Sequence, residues 1–327
     1  MPLLVTRESP SGAILADIAS NPVPQGARAG YFTTSDKVRL RYAVFPRTGP
    51  EHKGTVCLVQ GRTEFIEKYY ETIADFRARG FAVATYDLRG QGGSDRLTDT
   101  RRLGHVERFS DYWLDLKSFH AQILLPDCPP PFYLVGHSTG GLISLLAATR
   151  DRLMFDRVFV SSPMLGLPGL PFGQNGTRAV LEVARFLGLG RLPLQAGAGK
   201  TATLENFEGN PLTSDATRFG RAMDTLAARP ELGIGAPSVA WVSSALEGMT
   251  EAGSDSFPRR LLVPVFMVAA ALDRVVVTQA TERLGVRLRN GHFAVIPGAR
   301  HEMLMEADPI RAQVFAAFDA FVTERSE

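Results

Sequence analysis

Short apolar runs alternate with longer amphipathic stretches along most of the chain, which is the pattern of strands that alternate with helices. Unbroken apolar runs predict strands covered on both faces, as in a parallel sheet, and they lie at 55–59, 81–87, 132–135 and 263–270. The run at 38–45 alternates apolar with polar residues instead, which predicts a half-exposed antiparallel strand where the sheet begins. This pattern favours an α/β fold.

The alternation of strands and helices stops between residues 163 and 258. A Gly- and Pro-rich stretch opens this segment, and helical patterns follow near 177–187, 217–228 and 238–249. Helices that interrupt an α/β sheet imply an insertion over the carboxyl ends of the strands, where ligands bind in open sheets. The sequence thus predicts a mainly helical cap at 163–258 between two parts of one core, 1–162 with a lead-in segment at 1–30, and 259–327.

The turn after the run at 132–135 carries candidate chemistry. It reads Gly136-His137-Ser138-Thr139-Gly140 and is followed by the small and apolar residues of a predicted helix. A serine between two glycines at this spacing is typical of a nucleophile on a strained strand-to-helix turn, where only glycines allow so close an approach of strand and helix. The Thr139 amide would begin the helix, so its N–H and the positive helix end would face a developing oxyanion.

Candidates for the general base and its acid lie near the end of the chain. Of the six histidines, only His301 occupies a loop that follows a predicted strand, the last one at 292–296, after an acidic loop. Asp273 follows the penultimate predicted strand in the same way. An imidazole can take and return the serine proton, and a carboxylate can fix its tautomer. Asp273 could instead cap the helix that begins near Thr278, in which case Asp255 or Glu302 would be the acid to examine.

These motifs resemble those of the α/β-hydrolase superfamily, and within it the lysophospholipase and monoacylglycerol lipase group of serine hydrolases. The resemblance is carried by Gly136 to Gly141, by Asp87-Leu88-Arg89-Gly90-Gln91-Gly92-Gly93-Ser94, and by Gly298-Ala299-Arg300-His301-Glu302. It implies an α/β-hydrolase fold, with a mostly parallel doubly wound sheet, an inserted helical cap and a triad in the order Ser, Asp, His. Gln91 departs from the pattern, since histidine is common at its position.

The resemblance also implies roles for the loop after the first buried strand. In the family a His-Gly pair follows this strand, and the residue after the glycine donates the second N–H of the oxyanion hole. Here Gln60 and Gly61 form the pair and Arg62 is the donor. Gln60 replaces the usual histidine, and we expect no loss of function because the backbone amide does the work.

Two further groups of residues complete the expected site. Asp87, Arg89 and Glu64 are assigned a structural role behind the oxyanion hole, because arginine and carboxylate side chains can tie neighbouring loops together. The residues expected to contact substrate are Gln60, Gly61, Met164, Leu165 and Trp241.

The composition limits the function classes. The chain has 327 residues, 45% of them hydrophobic, a formal net charge of +2 and two cysteines. Scattered basic residues argue against a nucleic-acid partner, and the cysteine count argues against a disulfide framework. Metal-ligand spacing is absent, and we expect no cofactor. The sequence shows neither a secretory signal nor an apolar run of the roughly 18 residues needed to span a membrane. We expect a cytoplasmic protein with peripheral contact at the inner face of the membrane through the cap.

The sequence-based function is hydrolysis of a carboxylic ester of a monoacyl lipid, a lysophospholipid or a monoacylglycerol, through an acyl-serine intermediate. Two alternatives use the same triad: a small-ester carboxylesterase and a carbon–carbon bond hydrolase. A third alternative is a ligand receptor derived from a hydrolase, in which turnover is negligible.

Overall fold

A computed structural model describes residues 14–194 and 206–323. Eight strands form one sheet in the order β1-β2-β4-β3-β5-β6-β7-β8. The first two pairings, β1 with β2 and β2 with β4, are antiparallel, and all later pairings are parallel. The strands are β1 (Arg28–Thr33), β2 (Arg39–Phe45), β3 (Gly54–Val59), β4 (Phe81–Tyr86), β5 (Phe132–His137), β6 (Arg157–Ser161), β7 (Val265–Ala270) and β8 (Gly291–Ile296).

The lead-in assignment of residues 1–30 was partly wrong. Residues 28–33 form β1, the outer strand of the sheet. Its side chains are mostly half-exposed, and so the apolar alternation that identifies a strand is missing. Residues 1–13 lie outside the described parts of the chain.

Helices cover both faces of the sheet. They are α1 (Tyr70–Ala78), α2 (Asp111–Phe119), α3 (Leu125–Asp127), α4 (Thr139–Arg150), α5 (Gly173–Phe186), α6 (Ala216–Ala228), α7 (Val239–Gly253), α8 (Phe257–Arg260), α9 (Thr278–Gly285) and α10 (Asp308–Thr323). Two large apolar clusters result, one on each face of the sheet. The strands between them, such as β3 and β4, are buried along their whole length, as their unbroken apolar sequences predict.

The segment between β6 and β7 contains α5 to α8 and, among its described residues, no strand. Its longest helix, α7, packs against both α5 and α4. Trp241, Leu246 and Met249 of α7 belong to the same apolar cluster as the side chains of α4 and the sheet. The inserted segment therefore shares its core with the sheet.

Ion pairs anchor a second part of the inserted segment. Arg218 and Arg221 of α6 both contact the carboxylate of Glu71 in α1, each at 2.7 Å. Arg311 of α10 contacts the same carboxylate at 3.5 Å. Burial opposes the charged form of Glu71, but these arginines outweigh it and lower the pKa of the carboxyl to about 2. Glu71 thus joins α6 to the core as an anion.

None of the helices in the described parts of the chain is long and apolar enough to cross a membrane.

Candidate active site

The turn between β5 and α4 holds Ser138 in a strained conformation. Its φ is 53° and its ψ is −115°, which L-residues rarely adopt. A Cβ at Gly136 would collide with Ser144 Oγ and the Gly140 carbonyl, and a Cβ at Gly140 would collide with the Val59 carbonyl. Both glycines are therefore required for the strand, the turn and the helix to pack this closely.

The three residues of the predicted triad lie in one hydrogen-bonded chain. His301 Nε2 lies 3.0 Å from Ser138 Oγ, and His301 Nδ1 lies 2.8 Å from Asp273 Oδ2. The three side chains come from the loops after β5, β7 and β8. Because parallel strands end at the same edge of the sheet, residues far apart in sequence meet there.

Asp273 is held as an anion. Its Oδ1 accepts hydrogen bonds from the Val275 and Val276 amides at 2.8 and 2.9 Å. Burial would raise the pKa of the carboxyl, but the bond from His301 and the two amides outweigh burial and lower it. An ionised Asp273 accepts the Nδ1 proton of His301, which leaves Nε2 free to accept a proton from Ser138.

His137 adjoins the nucleophile but occupies a different environment. It is buried, its Nδ1 lies 3.2 Å from the Ser161 carbonyl, and its ring centroid is 4.9 Å from that of His301. Burial lowers the pKa of His137 to about 4. A neutral His137 packs against His301 without adding a second positive charge.

The loop after β3 lies directly beside the nucleophile turn, since Val59 pairs with Gly136 across the sheet. Thr139 is the first residue of α4, and the first N–H groups of a helix have no acceptor within it. The Gly61 carbonyl accepts a hydrogen bond from Gln91 Nε2 at 2.8 Å, on one side of the Gly61–Arg62 peptide. The Arg62 N–H belongs to the same peptide unit. This arrangement fits both expected oxyanion donors.

The side chain of Gln60 does not match the substrate contact expected for it. It is fully buried, and its Nε2 lies 3.3 Å from Asp87 Oδ1 and 3.5 Å from Thr85 Oγ1. These partners belong to the end of β4 and the residue just after it, so the Gln60 side chain joins the loop after β3 to the neighbouring strand. Gly61 lies in the loop itself, where its N–H donates to Glu64 Oε2.

Glu64, assigned a supporting role, is part of a buried charge cluster that the sequence did not reveal. Lys68 Nζ lies 3.0 Å from Glu64 Oε1 and 2.5 Å from Glu302 Oε1, and Tyr69 Oη donates to Glu64 Oε2 at 2.6 Å. Burial raises the pKa of Glu302, whereas Lys68, with hydrogen bonds from Tyr69 and the Gly61 amide, overcomes burial and lowers the pKa of Glu64. Lys68 thereby ties the loop after β3 (residues 60–65, called the oxyanion loop below because it contains the expected donor Arg62) to the residue that follows His301. The spacing of Glu64 and Lys68, four residues apart near a helix start, was the available signal.

Asp87 and Arg89 support neighbouring loops through separate contacts. Asp87 accepts from the Ile66 amide at 2.9 Å, the Gly93 amide at 2.6 Å and Arg41 Nε at 2.6 Å. Arg89 donates to Asp115 at 2.6 Å. Asp87 thus joins the oxyanion loop to its own loop, while Arg89 fixes its loop to α2.

Of the other residues expected to contact substrate, Met164 and Leu165 adjoin the Ser138 turn, whereas the contacts of Trp241 are with Tyr112 and Arg62. The Met164 amide donates to the Ser138 carbonyl at 3.0 Å, and Leu165 follows it in a buried position. The Trp241 indole N–H donates to Tyr112 Oη at 3.0 Å. The Arg62 guanidinium lies 5.2 Å from the Trp241 ring centroid and donates to the Gly235 carbonyl. The Arg62 side chain therefore joins the oxyanion loop to the inserted segment.

Two openings, of about 350 and 310 Å³, lie beside Asp273. Arg274 lines both, and Arg300 lines the smaller one. Within residues 14–194 and 206–323, His, Cys, Asp and Glu side chains form no group of three that could hold a metal ion. The arrangement around Ser138 can support nucleophilic attack on a carbonyl carbon.

The chain resembles known hydrolases in sequence and in fold. Residues 50–308 match the family described as serine aminopeptidase, S33. The chain is 33% identical over 301 residues to lysophospholipase L2 of Escherichia coli (strain K12), covering 89% of this chain and 86% of that protein. It is 26% identical over 275 residues to phospholipase YtpA of Bacillus subtilis (strain 168), covering 82% and 95%. A soluble variant of monoglyceride lipase from Saccharomyces cerevisiae has a similar fold, with a TM-score of 0.71 at 17% identity over 90% of this chain and 94% of that one. The predicted α/β-hydrolase fold is confirmed.

Proposed function

Because the chain belongs to the serine aminopeptidase S33 family of α/β-hydrolases and is a serine ester hydrolase, we propose that it cleaves a monoacyl lipid through an acyl-serine intermediate. The observation that carries this proposal is the hydrogen-bonded chain from Ser138 through His301 to Asp273 on a strained turn. The name of the relative that is 33% identical supports a lysophospholipid as substrate.

The first half of the reaction forms the acyl-serine. Ser138 Oγ attacks the ester carbonyl carbon while its proton passes to His301 Nε2. The carbonyl oxygen gains negative charge, which the Arg62 and Thr139 N–H groups stabilise. His301 then gives the proton to the leaving oxygen, and the alcohol, which contains the glycerol head group, departs. Asp273 stabilises the imidazolium during this step.

The second half uses water in place of the alcohol. A water molecule attacks the acyl-serine carbonyl and gives a proton to His301, which returns it to Ser138 Oγ as the carboxylic acid leaves. The same two N–H groups stabilise the second oxyanion. Ser138, His301 and Asp273 are then restored.

The inserted segment supports a preference for long acyl chains. Met164 and Leu165 are apolar and adjoin the Ser138 turn, and Trp241 lies beside the Arg62 side chain. Each methylene of an acyl chain that is buried contributes about 0.8 kcal/mol. An acyl chain longer by several carbons can therefore stabilise the transition state by several kcal/mol, which raises kcat/KM.

A phosphate-bearing head group would require a basic residue at the site. Arg62 is engaged by Trp241 and Gly235, so its side chain is less suited to this role than the exposed Arg274. Glu64 and Glu302 pair with Lys68, and leave Arg274 for the substrate. We assign the head-group contact to Arg274.

A panel of esters tests the substrate class. The panel contains p-nitrophenyl esters from acetyl to palmitoyl, a lysophosphatidylcholine, a monoacylglycerol and a β-diketone. We expect kcat/KM to rise with chain length and both lipids to be cleaved. Preference for acetyl or butyryl esters would replace the lipid proposal with a small-ester carboxylesterase. Cleavage of β-diketones instead of esters would indicate a carbon–carbon bond hydrolase, and stoichiometric binding without turnover would indicate a receptor.

The cap also offers a surface for membrane contact. Most of the exposed large apolar side chains in the described parts of the chain lie on α5, just before it or in the segment after it; they are Phe172, Val180, Val183, Phe186, Leu187, Leu189, Leu192 and Leu194. Three arginines accompany them: Arg178, which pairs with Glu182, Arg185, which pairs with Glu107, and Arg191, which suits a lipid surface with anionic head groups. We propose that this surface binds the membrane in which the lipid substrate resides.

Vesicle flotation tests the membrane contact. Phe186 is 90% exposed and Leu187 is 65% exposed, so the Phe186→Asp/Leu187→Asp protein should fold and should float less with phosphatidylglycerol vesicles. Leu153 is 86% exposed but lies outside this surface, so Leu153→Asp is the matched control and should float as the wild type does. Equal flotation of all three proteins would contradict the proposal.

A further inference from the structure

Gln91 is a buried amide whose contacts all concern the oxyanion loop or its own loop. Its Nε2 donates to the Gly61 carbonyl at 2.8 Å and to the Glu64 carbonyl at 3.1 Å. Both partners can only accept, so the nitrogen side of the amide must face them. The side chain is 3% exposed, and water does not replace these bonds at low cost.

The geometry of the peptide bond gives the contact with Gly61 a consequence for catalysis. The Gly61 carbonyl and the Arg62 N–H belong to one peptide unit, and in a trans peptide these groups point in opposite directions. A hydrogen bond that fixes the carbonyl therefore also fixes the direction of the N–H. If this unit rotated by half a turn, the Gly61 carbonyl oxygen would face the reacting ester and the N–H would face Gln91.

The glycine on one side of this peptide unit lowers the conformational cost of such a rotation. Glycine populates backbone conformations that other residues avoid, so the Gly61 side of the unit resists rotation weakly. Thr63 already adopts a φ of 66°, which shows how far the loop departs from ordinary backbone. The Gly61 N–H bond to Glu64 holds the preceding peptide unit, and leaves the Gly61–Arg62 unit to another anchor.

Gln91 is itself held in place by backbone hydrogen bonds within its own loop. The Gln91 N–H donates to the Leu88 carbonyl at 3.2 Å, and the Gln91 carbonyl accepts from the Ser94 N–H at 3.1 Å. Asp87, at the start of this loop, accepts from the Ile66 amide beyond the oxyanion loop at 2.9 Å. The donor and its target are thus held at a constant separation.

We propose that Gln91 is a positioning residue for the oxyanion hole, and that its bond to the Gly61 carbonyl keeps the Arg62 N–H directed at the developing oxyanion. This inference deepens the proposed acyl-serine chemistry and rests on it. Loss of one oxyanion donor lowers kcat by about 10²-fold to 10³-fold. Because the loop would still sample the correct orientation, loss of Gln91 should cost about 10-fold to 100-fold, with KM within about twofold.

The variants separate this role from a general loss of packing. Gln91→Met keeps the length of the side chain and removes both donors, whereas Gln91→His retains one N–H donor and should recover part of the lost rate. Ser94→Ala is the matched control, since it removes bonds from Ser94 Oγ to the Asp87 carbonyl and from the Arg41 amide in the same loop but leaves the Gly61 carbonyl untouched. Thermal unfolding is measured for all three.

Two inhibitors give the decisive measurement. An alkyl trifluoromethyl ketone forms a tetrahedral adduct with an oxyanion, whereas the ether analogue of the same length binds without one. In Gln91→Met, trifluoromethyl ketone affinity should fall in parallel with kcat/KM for p-nitrophenyl acetate, while ether affinity stays within about twofold. Ser94→Ala should change neither the affinity for the ketone nor the affinity for the ether.

The inference is overturned if Gln91→Met retains kcat within twofold of the wild type, or if both inhibitors weaken equally. It is also overturned if Gln91→Met and Gln91→His lose the same rate. These results are independent of the lipid assignment, because neither p-nitrophenyl acetate nor the ketone carries a lipid head group. Failure to cleave lipid esters, with the predicted Gln91 effects intact, would reject the substrate and keep the inference.

Discussion

Replacing Asp273 with asparagine tests whether the carboxylate acts through the tautomer of His301. The asparagine oxygen can keep the two bonds from the Val275 and Val276 amides, which places its NH2 group opposite His301 Nδ1, where the carboxylate oxygen lay at 2.8 Å. An amide nitrogen only donates, so Nδ1 must become an acceptor and the ring proton moves to Nε2. Nε2 lies 3.0 Å from Ser138 Oγ and then has no lone pair for the serine proton.

We expect Asp273→Asn to lower kcat about 10⁴-fold, or about 5 kcal/mol of transition-state stabilisation. His301→Ala should lower it by a similar factor, since the base itself is lost. The double variant should be little slower than either single variant, because triad members act as a unit. The assay is steady-state hydrolysis of a p-nitrophenyl ester, and thermal unfolding of the near-isosteric Asp273→Asn protein is the control for folding.

Two results would refute this reasoning. If the two losses multiplied in the double variant, Asp273 and His301 would act independently. If Asp273→Asn were nearly silent, the acid would lie elsewhere. The structure makes the alternatives poor ones, since Asp255 pairs with Arg287 at the surface and Glu302 pairs with Lys68.

Three further predictions concern Trp241, Lys68 and Glu71. Trp241→Ala should reduce kcat/KM for palmitoyl esters more than for acetyl esters, and equal loss in an ester panel would place Trp241 away from the acyl chain. Lys68→Met should lower the free energy of unfolding by about 3–5 kcal/mol, because Glu64 and Glu302 lose their shared cation, and chemical denaturation that shows no change would contradict this. The Glu71 carboxyl has a pKa lowered to about 2, so its contribution to stability is present above about pH 4.5 and is lost as the pH falls toward 2. The difference in Tm between wild type and Glu71→Gln should therefore shrink below about pH 4.5, and a constant difference would argue against the ion pairs.

Local signals explain what the sequence could predict. The nucleophile turn is a short motif whose glycines are required by contacts within and beside it, and so the pattern around Ser138 was sufficient to place it. The buried strands β3, β4, β5 and β7 have unbroken apolar sequences, and each was expected near its observed position. By contrast, β1 is an outer strand with few buried side chains, so its sequence carries little periodicity.

Long-range contacts explain what the sequence could not predict. Lys68 and Glu302 are 234 residues apart, and nothing in either segment indicates that they form an ion pair. The direction of the Gln60 side chain depends on Asp87 and Thr85 of the neighbouring strand and loop. The Arg62 side chain contacts Gly235, which is 173 residues away in the sequence, and Trp241 of the inserted segment.

Labelling of Ser138 by an active-site fluorophosphonate tests the central claim most directly. The wild-type protein should be labelled in a 1:1 ratio, and peptide mapping should place the label on Ser138. Ser138→Ala removes one hydroxyl from a turn and leaves the apolar clusters intact, so this variant should fold normally, remain unlabelled and hydrolyse no ester above background. Labelling or ester hydrolysis that persisted in a folded Ser138→Ala protein would contradict the account and place the nucleophile on another residue.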